Sequence, residues 1–289
     1  MLRPALLPAL AALLALSPSH GPALAADNAL RDQVAELLRQ RNWTEARTVL
    51  EQATVSEPGN AEAWQSLGQV CVAMGDLEKA VPALEKSTEL APTNSEYFRK
   101  LGDSYGMTAQ KAGLLSKFGW AKKCKAAYEK SVELNPANID ARWSVMEYCR
   151  QAPGIAGGGM DGAYAQAEAI KKLNPARGRA AYTSLYLHEK KYADAFAQYE
   201  AVLKENPEDG DALFQIGRIA SVSGEQLDRG LETLRKLLTL PGGATPRSYG
   251  RIGTILEKKG DKAGARAAYE AALALDPKFT PALESLRKL

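Results

Sequence analysis

Seven prolines recur along the chain in similar company: "SEPGN" at Pro58, "ELAPTN" at Pro92, "ELNPAN" at Pro136, "KLNP" at Pro175, "KENPED" at Pro207, "TLPGG" at Pro241 and "ALDPKF" at Pro277. Their successive spacings are 34, 44, 39, 32, 34 and 36 residues. A period of this length means that each repeat is one small unit that cannot bury its apolar face alone, so neighbours stack to share a core. Proline biases the residue before it away from helix, so each of these positions reads as the end of a helical segment.

The stretch from Ala61 to Asn94, "AEAWQSLGQVCVAMGDLEKAVPALEKSTELAPTN", shows what one unit contains. Trp64, Leu67, Gly68 and Cys71 stand at i, i+3, i+4 and i+7, one face of a helix. Gly75 breaks that segment and Asp76 is placed to cap the next. Ala80, Leu84 and Ser87 then mark the inner face of a second helix, and the small residues Gly68, Ala80 and Ser87 allow close approach. Pro82 departs from the pattern, since it removes one backbone hydrogen bond early in that second helix and is expected to bend its first turn.

On these residues the chain resembles the tetratricopeptide repeat (TPR) family, whose pattern sets Trp, Leu-Gly, Tyr, Ala, Phe, Ala and Pro at fixed offsets. The last unit carries the same marks in Tyr249, Ile252, Gly253, Leu256, Ala265, Tyr269, Ala272 and Pro277. The resemblance implies an all-α solenoid, a right-handed superhelix of about seven helix-turn-helix repeats. The repeats are expected near 27–60, 61–94, 95–138, 139–175, 176–209, 210–243 and 244–277, with a capping helix in 278–289. The combination of "SKFGWAKKCKAAYEKSVELNPAN", "APGIAGGG" and "LDRGLETL" further resembles exported bacterial TPR proteins of unknown biochemical role, which implies a location and no activity.

Two units are stretched at the same place. The third holds about ten extra residues between its helices, an insertion over 106–120, and the fourth about five, in a glycine loop over 152–163. Equivalent turns of a solenoid lie along one edge, so the two insertions are expected to touch, with Leu114, Leu115, Phe118 and Trp120 packing partly on the glycine loop. Gly157, Gly159 and Gly162 spell G-x-G-x-x-G, but a dinucleotide fingerprint needs a preceding strand and a βαβ unit, and "IDARWSVMEYCRQ" reads as helix. No Gly-Lys-Ser/Thr follows. A structural turn is the reading, and no cofactor is expected.

The first residues differ in kind. Arg3, the apolar run "ALLPALAALLAL" and the small-x-small end Ala23-Leu24-Ala25 follow the order of a secretory signal peptide, with an apolar core too short for a membrane span. Residues 1–25 are therefore expected to be removed at about Ala25, leaving 26–289 periplasmic or secreted. In an oxidising compartment Cys124 and Cys149 become a candidate disulfide, against the default of small buried apolar residues. A formal net charge of +3 argues against a nucleic-acid partner, and no later run is long enough to span a bilayer.

Catalysis finds little support. Apart from His20 the chain has one histidine, His188, and the carboxylates are explained as helix caps and i,i+4 pairs. No catalytic or metal site is expected. In TPR arrays the first helix of each unit lines the concave surface. Carrying its offsets over gives Gln65, Gln69, Arg99, Asp103, Trp143, Glu147, Ser184, His188, Phe214 and Arg218 as candidates for a protein-binding groove. The Lys-Asn-Asn-Lys-Arg clamp of chaperone-binding members is not evident. Two functions stay open: an exported scaffold binding a protein or peptide of the cell envelope, or a small-ligand or enzyme-like protein using the edge patch of the 106–120 insertion and the glycine loop.

Overall fold

The computed structural model describes residues 21–289. Among them all regular structure is helical, with fifteen α-helices, one short 3-10 turn and no strand. The all-α expectation of paired helices closed by a short terminal helix holds. The expected signal peptide falls mainly on residues 1–20, outside the described residues.

The chain divides into two compact units between Pro92 and Thr93. The first contains α1 (Gly21–Arg39), α2 (Trp43–Ser56), α3 (Ala61–Ala73) and α4 (Leu77–Leu90), paired as α1 with α2 and α3 with α4, and α2 packs on α3. Each turn is set by a short polar side chain. Asn42, Asn60 and Asp76 accept from backbone N–H groups of Glu45, Ala63 and Lys79, satisfying donors that a helix start leaves unpaired. Ala80, Leu84 and Ser87 are almost wholly buried, as their spacing predicts. A Cβ on Gly68 would lie 2.4 Å from Leu84 Cγ, so glycine is what lets these two helices meet. Pro82 sits inside α4 on its exposed side, and the helix runs through it.

The second unit contains α5 (Ser95–Lys111), α6 (Leu114–Leu134), α7 (Ile139–Gln151), α8 (Met160–Leu173), α9 (Pro175–His188), α10 (Tyr192–Glu205), α11 (Gly210–Ser223), α12 (Leu227–Thr239), α13 (Pro246–Lys258), α14 (Lys262–Leu275) and the terminal α15 (Thr280–Leu286). The pairs α5–α6, α7–α8, α9–α10, α11–α12 and α13–α14 form hairpins, and α15 covers α14 with Ala282 fully buried. The same device recurs in three of these pairs, α5–α6, α11–α12 and α13–α14. Cβ atoms on Gly102, Gly217 and Gly253 would fall 2.5 Å from Tyr128, 2.3 Å from Leu234 and 2.5 Å from Tyr269.

Two expectations about the insertions are corrected. The extra residues of the third hairpin make no loop between helices. They lengthen α5 to 17 residues and α6 to 21, joined through Ala112 and Gly113 alone. Alanine, leucine and lysine in this stretch favour helix, and continuing the ladder satisfies backbone groups that a loop would leave to water. Nor do Leu114, Leu115, Phe118 and Trp120 dock on the glycine loop. The first three are 75%, 98% and 40% exposed, and Trp120 lies against Tyr105 of its own hairpin with ring centroids 5.7 Å apart.

The glycine loop does meet α6, through Lys125, whose stem lies over Gly157. Otherwise it folds on itself: Tyr148 Oη donates to the Ala156 carbonyl at 2.7 Å, and Gly159 N–H to the Cys149 carbonyl at 2.7 Å. Gly157 and Gly159 adopt φ of 77° and 144°, which side chains rarely permit. The turn reading is thereby accounted for by backbone geometry.

Candidate functional site on the first-helix faces

Within the second unit the first helices of successive hairpins present the candidate residues in order. On α5, Arg99 pairs with Glu96 at 2.5 Å and Asp103 at 3.1 Å. Tyr128 of α6 donates its hydroxyl to the other Asp103 oxygen at 2.8 Å. Burial still dominates at Asp103 and pushes its carboxyl above the usual range, against the pull of Tyr128 and Arg99. On α7, Trp143 is half-buried with the Arg177 guanidinium 5.4 Å above its ring. Glu147 is held by Arg150 and accepts from Ser184 of α9 at 3.2 Å, while Arg150 lies 3.2 Å from Nδ1 of His188. Glu147, Ser184 and His188 thus belong to one polar network bridging α7 and α9.

A cavity of about 540 Å³ opens between the α5–α6 hairpin and α7. Asp103, Trp143, Glu147, Tyr148, Cys124 and Pro153 are among its walls, so three groove candidates share it with the start of the glycine loop.

Farther along, Phe214 and Arg218 of α11 line a second cavity of about 410 Å³ with Arg247 and Arg251 of α13 and Phe279 before α15. Its electrostatics are unlike the first. Arg218 and Arg251 are half-buried, yet among the described residues no carboxylate within ion-pair distance holds either. Arg218 Nε donates to Gln215 at 2.6 Å, and Arg251 makes one long contact of 3.4 Å to Ser221 Oγ. Burial draws both guanidinium groups below the usual arginine value. At Arg251 the neighbouring Arg218 and Arg247 add to the shift, and at Arg218 the more distant Asp211 opposes it. Half-buried charges without counter-ions are costly, and an acidic group entering the cavity would relieve that cost.

Two candidates of the first unit fare differently. Gln69 is exposed on α3. Gln65 is not a groove residue: it is 3% exposed and accepts from Ser87 Oγ at 2.7 Å inside its own hairpin. The Cys124–Cys149 bridge is also corrected, since both thiols are free and buried. Each sulfur fills the gap over a glycine of its own hairpin, Cys124 facing Gly106 and Cys149 facing Gly162.

Arg247, Arg251 and Phe279 were not among the sequence candidates. The groove offsets are carried over for the middle units and not for the last, so α13 contributes no candidate. Among the described residues no cluster of three or more metal-ligating side chains occurs.

Sequence models described as tetratricopeptide repeat match residues 31–95, 109–138 and 246–279. The crystal structure of a tetratricopeptide repeat protein from Parabacteroides merdae superposes with a TM-score of 0.60 at 17% identity, covering 90% of this chain and 97% of that one. A thermophilic TPR protein of Thermus thermophilus gives 0.50 at 21% identity over 68% of this chain and 97% of that one. Among curated proteins, Peroxisome biogenesis protein 5 of Arabidopsis thaliana is 33% identical over 88 residues, 30% of this chain and 12% of that protein's length.

Proposed function

We propose that this chain, a member of the tetratricopeptide-repeat family, is an exported scaffold that holds a peptide or protein segment of the cell envelope and performs no catalysis. A TPR fold is a protein-interaction scaffold, and stacked hairpins expose the first-helix face that such binding uses. The observation that carries the reading is the arginine cavity. Arg218 and Arg251 hold half-buried positive charge that no carboxylate among the described residues compensates at ion-pair distance, beside the apolar walls of Phe214 and Phe279. Arginine and aromatic residues dominate binding energy at protein interfaces, and a partner's acidic side chain or terminal carboxylate would find bidentate donors there. The apolar N-terminal segment ending in Ala23-Leu24-Ala25 supports export as part of the same reading.

The test is selection of binders from a random peptide library on the chain spanning residues 26–289. Selected peptides should be enriched in Asp and Glu, and Arg218→Gln with Arg251→Gln should weaken them about tenfold or more with helicity retained. Peptides that bind the double variant as tightly as the parent would overturn the assignment. Export is checked separately, by an intact mass beginning at Ala26 in envelope fractions.

A second reading rests on the 540 Å³ cavity beside the glycine loop, large enough for a small molecule. Asp103 and Glu147 on its walls suit a cationic group stacked on Trp143. Binding lost in Trp143→Ala and untouched by the arginine changes would favour it.

A further inference from the structure

The lengthened α5–α6 hairpin ends in a tip that nothing else in its unit covers. Other helices of the unit's hairpins run 13 or 14 residues, so the seven or more additional residues of α6 add about 10 Å of helix. Every residue from Gly113 to Gly119 is exposed, and the first buried position of α6 is Cys124. Three large apolar side chains stand there in water: Leu114, Leu115 and Phe118. Their i, i+1 and i+4 spacing gathers them on one side of the helix start.

The charge around them is one-sided. From Ser104 to Tyr128 the chain has no Asp or Glu and five lysines, Lys111, Lys117, Lys122, Lys123 and Lys125, whereas the whole chain nets +3. Lys125 pairs with Glu129, and Lys117 and Lys122 are exposed beside the apolar group. Lys123 Nζ lies 4.8 Å from the Trp120 ring, which is itself set against Tyr105.

We propose that this tip docks peripherally on an anionic lipid surface, with Leu114, Leu115 and Phe118 entering the headgroup boundary and the lysines meeting lipid phosphates. The shape favours lipid over an acidic protein. Leu114, Leu115 and Phe118 line none of the cavities described above, so they offer a partner's side chain no enclosure, while a soft interface closes around whatever enters it. Lysine stems can lie along the apolar layer with their ammonium groups at headgroup level, and a tryptophan at the base of the tip suits the same depth. No described helix is long and apolar enough to cross a membrane, so the attachment proposed is to one surface only. The proposal stands apart from the peptide reading, because the arginine cavity and the tip share no residue.

Co-sedimentation of the chain with lipid vesicles tests it. Vesicles of phosphatidylcholine mixed with phosphatidylglycerol should bind about tenfold or more better than phosphatidylcholine alone, and high salt should erase most of the difference. Leu115→Glu and Phe118→Glu should each reduce binding about tenfold with circular dichroism and melting unchanged, because both side chains face solvent. Lys117→Glu with Lys122→Glu should remove the preference for anionic vesicles. Absence of vesicle binding overturns the proposal, as does binding that these variants leave intact. So does a dimer that Leu115→Glu converts to monomer without vesicle binding, which would assign the tip to a second copy.

Discussion

Tyr128 of α6 donates its hydroxyl to Asp103 of α5 at 2.8 Å, and the same tyrosine ring fills the space over Gly102. One side chain therefore closes the hairpin by packing and holds a wall residue of the neighbouring cavity by a charged hydrogen bond. Tyr128→Phe keeps the packing and removes the bond. The expected cost is about 1–2 kcal/mol, the lower part of the range for bonds to charged groups because Asp103 is partly exposed. The pH dependence follows from the direction at Asp103. Burial raises its folded carboxyl above the ordinary 3.8, so this group favours folding most below that value, and the contribution is lost as pH rises through the folded one. Without Tyr128 the folded value rises further. Denaturation midpoints should show the variant's deficit growing from acid to neutral pH, and a deficit independent of pH would count against this account.

Gly217→Ala places a methyl 2.3 Å from Leu234 Cγ, where Leu234 is fully buried and has no space to retreat. The helices α11 and α12 must separate, which is expected to cost about 1–3 kcal/mol despite alanine's better helix propensity. A melting temperature equal to the parent's would show that the hairpin yields more readily than its packing implies.

Gly158→Ala tests the glycine loop as a turn. Its Cβ would fall 1.8 Å from the Ala152 carbonyl oxygen, so the backbone around Tyr148 and Ala156 has to move. A lower melting temperature is expected, with ATP and NAD binding undetectable in parent and variant alike. Micromolar nucleotide binding by the parent would restore the phosphate reading of the G-x-G-x-x-G spacing.

All three thiols are buried, and burial pushes each up in pKa, Cys124 to about 12. Raised values keep them protonated and poorly nucleophilic at pH values near 8. Ellman's reagent should find almost no reactive thiol in the native chain and three after unfolding without reductant. Recovery of a single thiol would demonstrate a Cys124–Cys149 bridge.

The repeats were legible because their causes are local. The residues that make a hairpin, such as Gly68 against Leu84 or Asp76 at the head of α4, lie within one period, so spacing alone reports them. The same locality explains the errors. Gln65 carries a groove offset, yet Ser87 of the partner helix draws it inward, and which face of a helix meets its neighbour is settled by packing. The 106–120 stretch looks like an inserted loop by counting, but an unbroken hydrogen-bond ladder is the cheaper way to house it.

What the sequence by itself determined is the repeating helix pair, its caps and its glycine contacts, since each depends on residues a few turns apart. Only the tertiary structure decided the arginine cavity and the exposed tip. The cavity needs Arg218, Arg247, Arg251 and Phe279 brought together from α11, α13 and the segment before α15, and its charge counts only because burial strips it of water. The tip needs Leu114, Leu115 and Phe118 to lie beyond the point where α6 leaves the core. Solvation is a property of the folded surface, and no local pattern reports it.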